Sequence, residues 1–225
     1  MSATSESSKS VSKQLIEKIG STASMVVAGA FFLVLAYQRD EFMITFFIGS
    51  ILNGIASKIL KKVLNIDRPD GYQNEDSVTV KPSDKGMPSS HAMSLGFIGT
   101  YCIIQTIQTM GVGMDSIAVA ISLVAYAMLS LIYRVQSKLH TLDQIVVGLF
   151  FGITNSFFWH SLAFGQNFML PQLNLMETVS LYLLPESGVL PVRYLAIPAL
   201  VGGALVGSLE RRISAFLKSR ESKAE

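Results

Sequence analysis

Three short polar stretches hold the residues of this chain that can do chemistry. In order they are Lys61-x6-Arg68-Pro69 within KILKKVLNIDRP, Pro88-Ser89-Ser90-His91 within KGMPSSHAMSLGF, and Arg134-x5-His140 within YRVQSKLHTLDQ. Lys61 and Arg68 are two helical turns apart, so a continuing helix would show both on one face, and Pro69 predicts that Arg68 leaves the helix. Ser89 and Ser90 are preferred helix N-caps, and the first turn of a helix offers unpaired N–H groups to an anion, with His91 beside it. Arg134 brings a planar fork suited to phosphate oxygens. His140 is followed by Asp143 and Gln144 at helical neighbour spacing. A histidine nucleophile needs one ring nitrogen free and the other held by an acceptor, and either residue can supply that acceptor. Together, three cations, a helix N-terminus and two histidines describe a phosphate pocket with a nucleophile and an acid.

Each stretch alone has a plainer account. Lysines at the ends of membrane spans serve as anchors, which is the better account of Lys58 and Lys62. Serines cap helices, and Asp143 suits the N-terminal turn of one. The ordered combination outweighs these accounts, because all three stretches are expected on one face of a membrane. Half of the 225 residues are apolar and only 15% are charged, where a soluble protein carries about a quarter. Apolar runs long enough to cross a bilayer lie at 21–37, 42–60, 91–110, 115–133, 142–163 and 192–209. The expected fold is therefore all-α, a polytopic membrane bundle of about six transmembrane helices. The domain plan is a polar tail over 1–20, with a short amphipathic helix at 11–19, a membrane domain over 21–210, and a basic tail over 211–225. Pro198 should kink the last span, and the small residues of GGALVG (202–207) favour close packing there. Residues 170–190 read as an interfacial helix. Six crossings put both tails, the 61–90 loop and the 134–141 turn on the same side, and of the 18 Lys+Arg only Arg39 and Arg193 fall on the other. The positive-inside rule makes the basic side cytoplasmic. The small net charge of +2 argues against a nucleic-acid partner. A single cysteine, Cys102, excludes an internal disulfide and reads as a small core hydrophobe.

The ordered set resembles the signature of the type 2 phosphatidic acid phosphatase superfamily, which includes lipid phosphate phosphatases and vanadium haloperoxidases. That pattern is Lys-x6-Arg-Pro, Pro-Ser-Gly-His, then Ser-Arg-x5-His-x3-Asp, and the matched region runs from about 58 to 152. Within it, GMPSSHAMS and HTLDQIVVG look like dolichyl-diphosphate phosphatases, and plant plastid lipid phosphate phosphatases carry similar segments. The resemblance implies that His140 attacks phosphorus to form a phosphohistidine and that His91 protonates the leaving oxygen. It implies that Lys61, Arg68, Ser89, Ser90 and Arg134 bind phosphate, and that Asp143 or Gln144 orients His140. Three positions depart from the pattern: Ser90 stands for glycine, Tyr133 for serine and Gln144 for aspartate.

The implied function is an integral membrane phosphatase removing the terminal phosphate of dolichyl or another polyprenyl diphosphate, in the endoplasmic reticulum. The alternatives are a phosphatidate or other lipid-monophosphate phosphatase, with the plastid envelope as its location, and an inactive relative that binds lipid phosphate. By resemblance the dolichyl enzymes work on the lumenal side, which conflicts with the cytoplasmic side indicated by the basic residues. The expected partners are the lipid phosphate and the bilayer. No cofactor and no metal are expected, since the pocket is itself cationic; Asp67, Asp70, Glu75, Asp76 and Asp84 read as a solvated acidic loop.

Overall fold

The computed structural model describes residues 2–69, 85–164, 174–191 and 194. The expected sixth span, 192–209, and the basic tail over 211–225 lie outside the described residues, Tyr194 apart. The elements are α1 (Ser2–Gln38), α2 (Glu41–Leu64), α3 (Ser90–Met110), α4 (Met114–Gln136), α5 (Leu142–Ala163) and α6 (Leu175–Leu183). Every described element is helical, as the apolar runs require. The expected tail and first span form one helix, α1. α2, α4 and α5 are long and apolar enough to cross a membrane, and the two halves of α1, bent by 50° between Ala23 and Val26, make a fourth candidate if they count as one. α3 covers the run expected at 91–110 but is less apolar than those spans. It packs against α2, α4 and α5, so little of it has to face lipid. α6 has nine residues, too few to cross a bilayer, and leaves Leu181 and Tyr182 exposed, in keeping with an interfacial helix.

Local chemistry sets the helix ends that matter here. The Asp40 carboxylate caps α2 by accepting from the Met43 N–H at 2.9 Å. α2 ends at Asn65, which adopts the left-handed conformation (φ 49°, ψ 34°) and donates its N–H to the Lys61 carbonyl. Asparagine tolerates this conformation and so closes a helix. The stop falls before Pro69, so Arg68 lies on an extended segment and not on a continuing helical face. Ser89 caps α3, and Thr141 with Gln144 forms a capping box at the start of α5.

Two stripes, one on α2 and one on α5, organise the interior around α3. On α2 every fourth residue is buried: Thr45, Gly49, Asn53, Ser57 and Lys61. On α5 the stripe is Gln144, Gly148, Gly152, Ser156 and His160. Hydrogen bonds join the helices at depth, from Asn155 Nδ2 to Asn53 Oδ1 (2.9 Å), from Asn53 Nδ2 to the Met93 carbonyl (3.4 Å) and from Trp159 Nε1 to the Thr45 carbonyl (3.0 Å). An apolar core of Leu35, Met43, Phe46, Phe97 and Tyr101 fills the end remote from the polar stretches, with Phe46 stacked on Tyr101 at 4.6 Å. The glycines of α5 let it press on α3. A Cβ at Gly148 would lie 2.7 Å from the Ser89 carbonyl oxygen, and one at Gly152 would lie 2.9 Å from the Met93 carbonyl carbon. Small residues four apart permit such backbone approach between membrane helices. This contact brings the first turn of α3 beside the first turn of α5, and with it two of the polar stretches.

Gly152→Ala is expected to force α3 and α5 apart. The predicted cost is about 1–3 kcal/mol, read as a lowered Tm in detergent. Gly99→Ala, where a Cβ meets no atom within 4 Å, should not lower Tm and should raise it slightly, alanine being the better helix former.

Candidate active site

The three polar stretches converge at one end of the bundle. His140 sits in the short turn between α4 and α5. The backbone N–H groups of Leu139 and His140 both donate to the Arg134 carbonyl (3.0 and 3.2 Å), so the turn folds back onto the end of α4. His140 is buried, and each ring nitrogen has a partner. Nδ1 lies 3.0 Å from Gln144 Oε1, and Nε2 lies 3.3 Å from Arg68 Nη1. The Gln144 carbonyl oxygen can only accept, so the Nδ1 proton points to it and the Nε2 lone pair faces the arginine. The same oxygen accepts from the Thr141 N–H (3.3 Å), while Gln144 Nε2 donates to the Asp67 carbonyl (2.8 Å). The Gln144 backbone carbonyl receives the Ser89 N–H at 3.0 Å. One residue therefore joins the His140 turn, the segment carrying Arg68 and the start of α3. Asp143, the other candidate to orient His140, is exposed in the first turn of α5.

The cations are held by backbone carbonyls. Lys61 is buried and donates to the Lys85 carbonyl (2.9 Å); Arg68 donates to the Leu139 carbonyl (2.7 Å) through the nitrogen that also faces His140. Gly86 lets the loop close here, since a Cβ would lie 2.8 Å from the Asp67 carbonyl oxygen and would meet the Gln144 amide. Burial is the largest force holding the His140 pKa down, at about 4, and the positive charges of Arg68, Lys61 and Arg134 add to it against the opposing Gln144 hydrogen bond. The ring is accordingly neutral near pH 7, with a lone pair available.

His91 stands in the first turn of α3, where the sequence put it. Its Nε2 lies 2.7 Å from Ser130 Oγ and its Nδ1 3.5 Å from Arg134 Nη2. Ser89 is fully buried and its Oγ accepts from the Ala92 N–H at 3.4 Å. The Ser90 hydroxyl accepts from Ser57 Oγ at 2.8 Å, tying α3 to α2. Tyr133 packs against Gly20 of α1. Sequence reasoning missed Ser130, although it lies one helical turn before Arg134 and so shares its face. On the other side of His91 is a cavity of about 460 Å³ between α1, α2 and α3, lined by Val27, Phe31, Phe47, Ile51 and Leu95 and reached by Ser90. Among the described residues no three His, Cys, Asp or Glu side chains could hold a metal ion. The Asp67 carboxylate pairs with Lys85; Asp70, Glu75, Asp76 and Asp84 lie outside the described residues.

Comparison with known proteins finds relatives in sequence and in fold. The sequence model of the PAP2 superfamily matches residues 42–168, a range that includes all three stretches. Lipid phosphate phosphatase epsilon 2, chloroplastic, of Arabidopsis thaliana is 34% identical over 146 residues, 64% of this chain and 48% of the relative. Lipid phosphate phosphatase epsilon 1, chloroplastic, of the same plant is 32% identical, covering 61% and 46%. The dolichyldiphosphatase of Saccharomyces cerevisiae is 30% identical, covering 56% and 57%. The chain thus spans about half the length of the curated relatives it matches. In structure it is similar to a transmembrane PAP2 type phosphatidylglycerolphosphate phosphatase from Bacillus subtilis, with a TM-score of 0.54 at 18% identity, over 72% of this chain and 86% of that one.

Replacing Gln144 by Leu is expected to lower turnover by about 10–100-fold, the usual cost of losing a residue that fixes a reactive imidazole. Asp143→Asn should change it by less than about twofold, as for an exposed substitution outside such networks. Phosphate release by the two variants, measured side by side, checks both.

Proposed function

Because the chain belongs to the PAP2 superfamily, we propose that it is a membrane lipid phosphatase working through a phosphohistidine at His140. The observation that carries this is the clamped imidazole, with Nδ1 on Gln144 Oε1 and Nε2 turned to Arg68. A lipid phosphate seated among Lys61, Arg68 and Arg134 has its charge neutralised by donors already in position, the term that dominates such catalysis. His140 Nε2 attacks the terminal phosphorus; the P–N bond forms as the bond from that phosphorus to its bridging oxygen breaks. That oxygen leaves on the lipid monophosphate when the substrate is a diphosphate and on the lipid alcohol when it is a monophosphate. The departing oxygen takes a proton from His91, and water then cleaves the P–N bond to release phosphate. Lys61, Arg68 and Arg134 supply the positive charge, so the chemistry runs without a metal.

The substrate proposed is a polyprenyl diphosphate, of which the terminal phosphate is removed. GMPSSHAMS and HTLDQIVVG support this, as does the likeness to the yeast dolichyldiphosphatase. A second reading, a phosphatidate or other lipid-monophosphate phosphatase, is favoured by the two chloroplast relatives named lipid phosphate phosphatase. The compartment follows the substrate: endoplasmic reticulum for the first, plastid envelope for the second. In both cases the apolar cavity beside His91 suits a lipid chain, since its walls are mostly aliphatic and aromatic.

Purified protein in detergent with excess chelator is expected to release phosphate from dolichyl diphosphate faster than from phosphatidate. The reverse preference would keep the mechanism and change the substrate; a requirement for added magnesium would overturn the metal-free chemistry. His140→Ala should abolish at least about 10³-fold of the activity, as loss of a nucleophile does.

The same assay followed against pH gives a further prediction. Protonating His140 removes its lone pair, so the acid limb of kcat/KM assigned to it should fall near pH 4. Lys61→Met removes one of the charges holding that value down and should move the limb upward, toward 6.5.

A further inference from the structure

We propose that Ser130 is a positioning residue for the acid step, and that it makes Nδ1, not Nε2, the proton-delivering atom of His91. The inference rests on the phosphatase reading given above. Arg134 Nη2, 3.5 Å from His91 Nδ1, is a donor without a lone pair, so in the neutral ring Nδ1 is the acceptor. The ring proton then sits on Nε2, and Ser130 Oγ at 2.7 Å accepts it. Ser130 is fully buried, where no water competes for that bond, and its place on α4 one turn before Arg134 fixes both partners of the imidazole from the same helix face.

The ring therefore has one nitrogen committed to the protein and one turned to the phosphate-binding arginine. The charged and titratable groups facing His91 are Arg134 from α4 and His140 from the α4–α5 turn. The cavity wall on its other side, from α1 and α2, contributes apolar residues and Ser50. When a phosphate monoester or diphosphate binds with one proton still on its phosphate, Arg134 turns its charge toward the phosphate oxygens and that proton passes to Nδ1, which makes the ring an imidazolium. As His140 Nε2 forms the P–N bond, the electron pair of the breaking P–O bond goes to the lipid oxygen, which takes the Nδ1 proton. His91 is left neutral, with Nε2–H still on Ser130. Without Ser130 the ring can rotate or switch tautomer, and the proton no longer points at the leaving oxygen.

The test exploits the leaving group. An alkyl phosphate ester leaves as a strongly basic alkoxide and needs the acid, whereas a nitrophenyl phosphate leaves as a weak base and does not. Ser130→Ala in the full chain should lower kcat on phosphatidate by about tenfold or more, with KM little changed, and lower kcat on nitrophenyl phosphate by less than about twofold. Ser130→Thr, which keeps the acceptor, should restore most of the loss. Equal losses on both substrates with an unchanged Tm would overturn the proposal, as would no loss on either. If Ser130→Ala does not fold, Ser130→Thr and Ser130→Cys decide: the hydroxyl must support the alkyl-ester reaction and the thiol, a weaker acceptor, must fail on that substrate alone. Wild-type protein that releases phosphate from no lipid would sink the phosphatase reading itself and this inference with it. Activity of the wild type combined with equal losses in the variants would sink the inference only.

Discussion

The geometry of the site depends on one amide. Gln144 accepts on its oxygen from the His140 ring and from the Thr141 N–H, and donates from its nitrogen to the Asp67 carbonyl. Those bonds fix the orientation of the His140 ring, the start of α5 and the loop that carries Arg68. An amide can do all of this because it carries donors and an acceptor at once. A carboxylate, the group found at this position in the type 2 phosphatidic acid phosphatase pattern, would hold the imidazole more strongly but would present a lone pair to the Asp67 carbonyl. In a site this buried an unsatisfied or opposed polar group costs about 1–3 kcal/mol, so glutamine fits the chain path of this protein. It also leaves His140 without a neighbouring negative charge, so nothing offsets the burial and the cations that hold its pKa down except the Gln144 hydrogen bond.

Gathering cations around a neutral histidine is unfavourable until an anion arrives, because like charges in a partly desolvated pocket repel. The fold meets that cost with backbone carbonyls. Lys85 supplies one to Lys61, and Leu139 supplies one to Arg68. These oxygens belong to segments that the helices hold in place. The polar stripe of α2 carries Lys61 at its end, and the glycine contact between α3 and α5 fixes the distance between Ser89 and Gln144. The placement of these groups is thus a product of helix packing some turns away from them.

His91 separates two environments. On one side are Arg134 and the phosphate-binding groups, on the other a cavity with aromatic and aliphatic walls. A lipid phosphate has the same division between an anionic head and an apolar chain. In the mechanism proposed above, the bond to be broken lies at this boundary, beside His91.

The sequence by itself determined the chemical inventory and the helices. Apolar runs set α2, α3, α4 and α5 to within a few residues, serine marked the cap of α3, and the spacing of Lys61, Arg68, His91, Arg134 and His140 pointed to phosphate. Only the tertiary structure decided between neighbours. Asp143 and Gln144 are both within reach of His140 along a helix, but α5 buries the face that carries Gln144, Gly148 and Gly152, and turns Asp143 to solvent. That the Ser90 hydroxyl meets Ser57 of α2 could likewise not be read along the chain. Ser130 gave no signal until α3 and α4 were packed, and Arg68 returned to the site through a stop at Asn65 that was not anticipated. The reason is common to these cases. Periodicity and capping are local and can be read along the chain, whereas the side chain that a buried residue faces is fixed by the rotation and approach of another helix, distant in sequence.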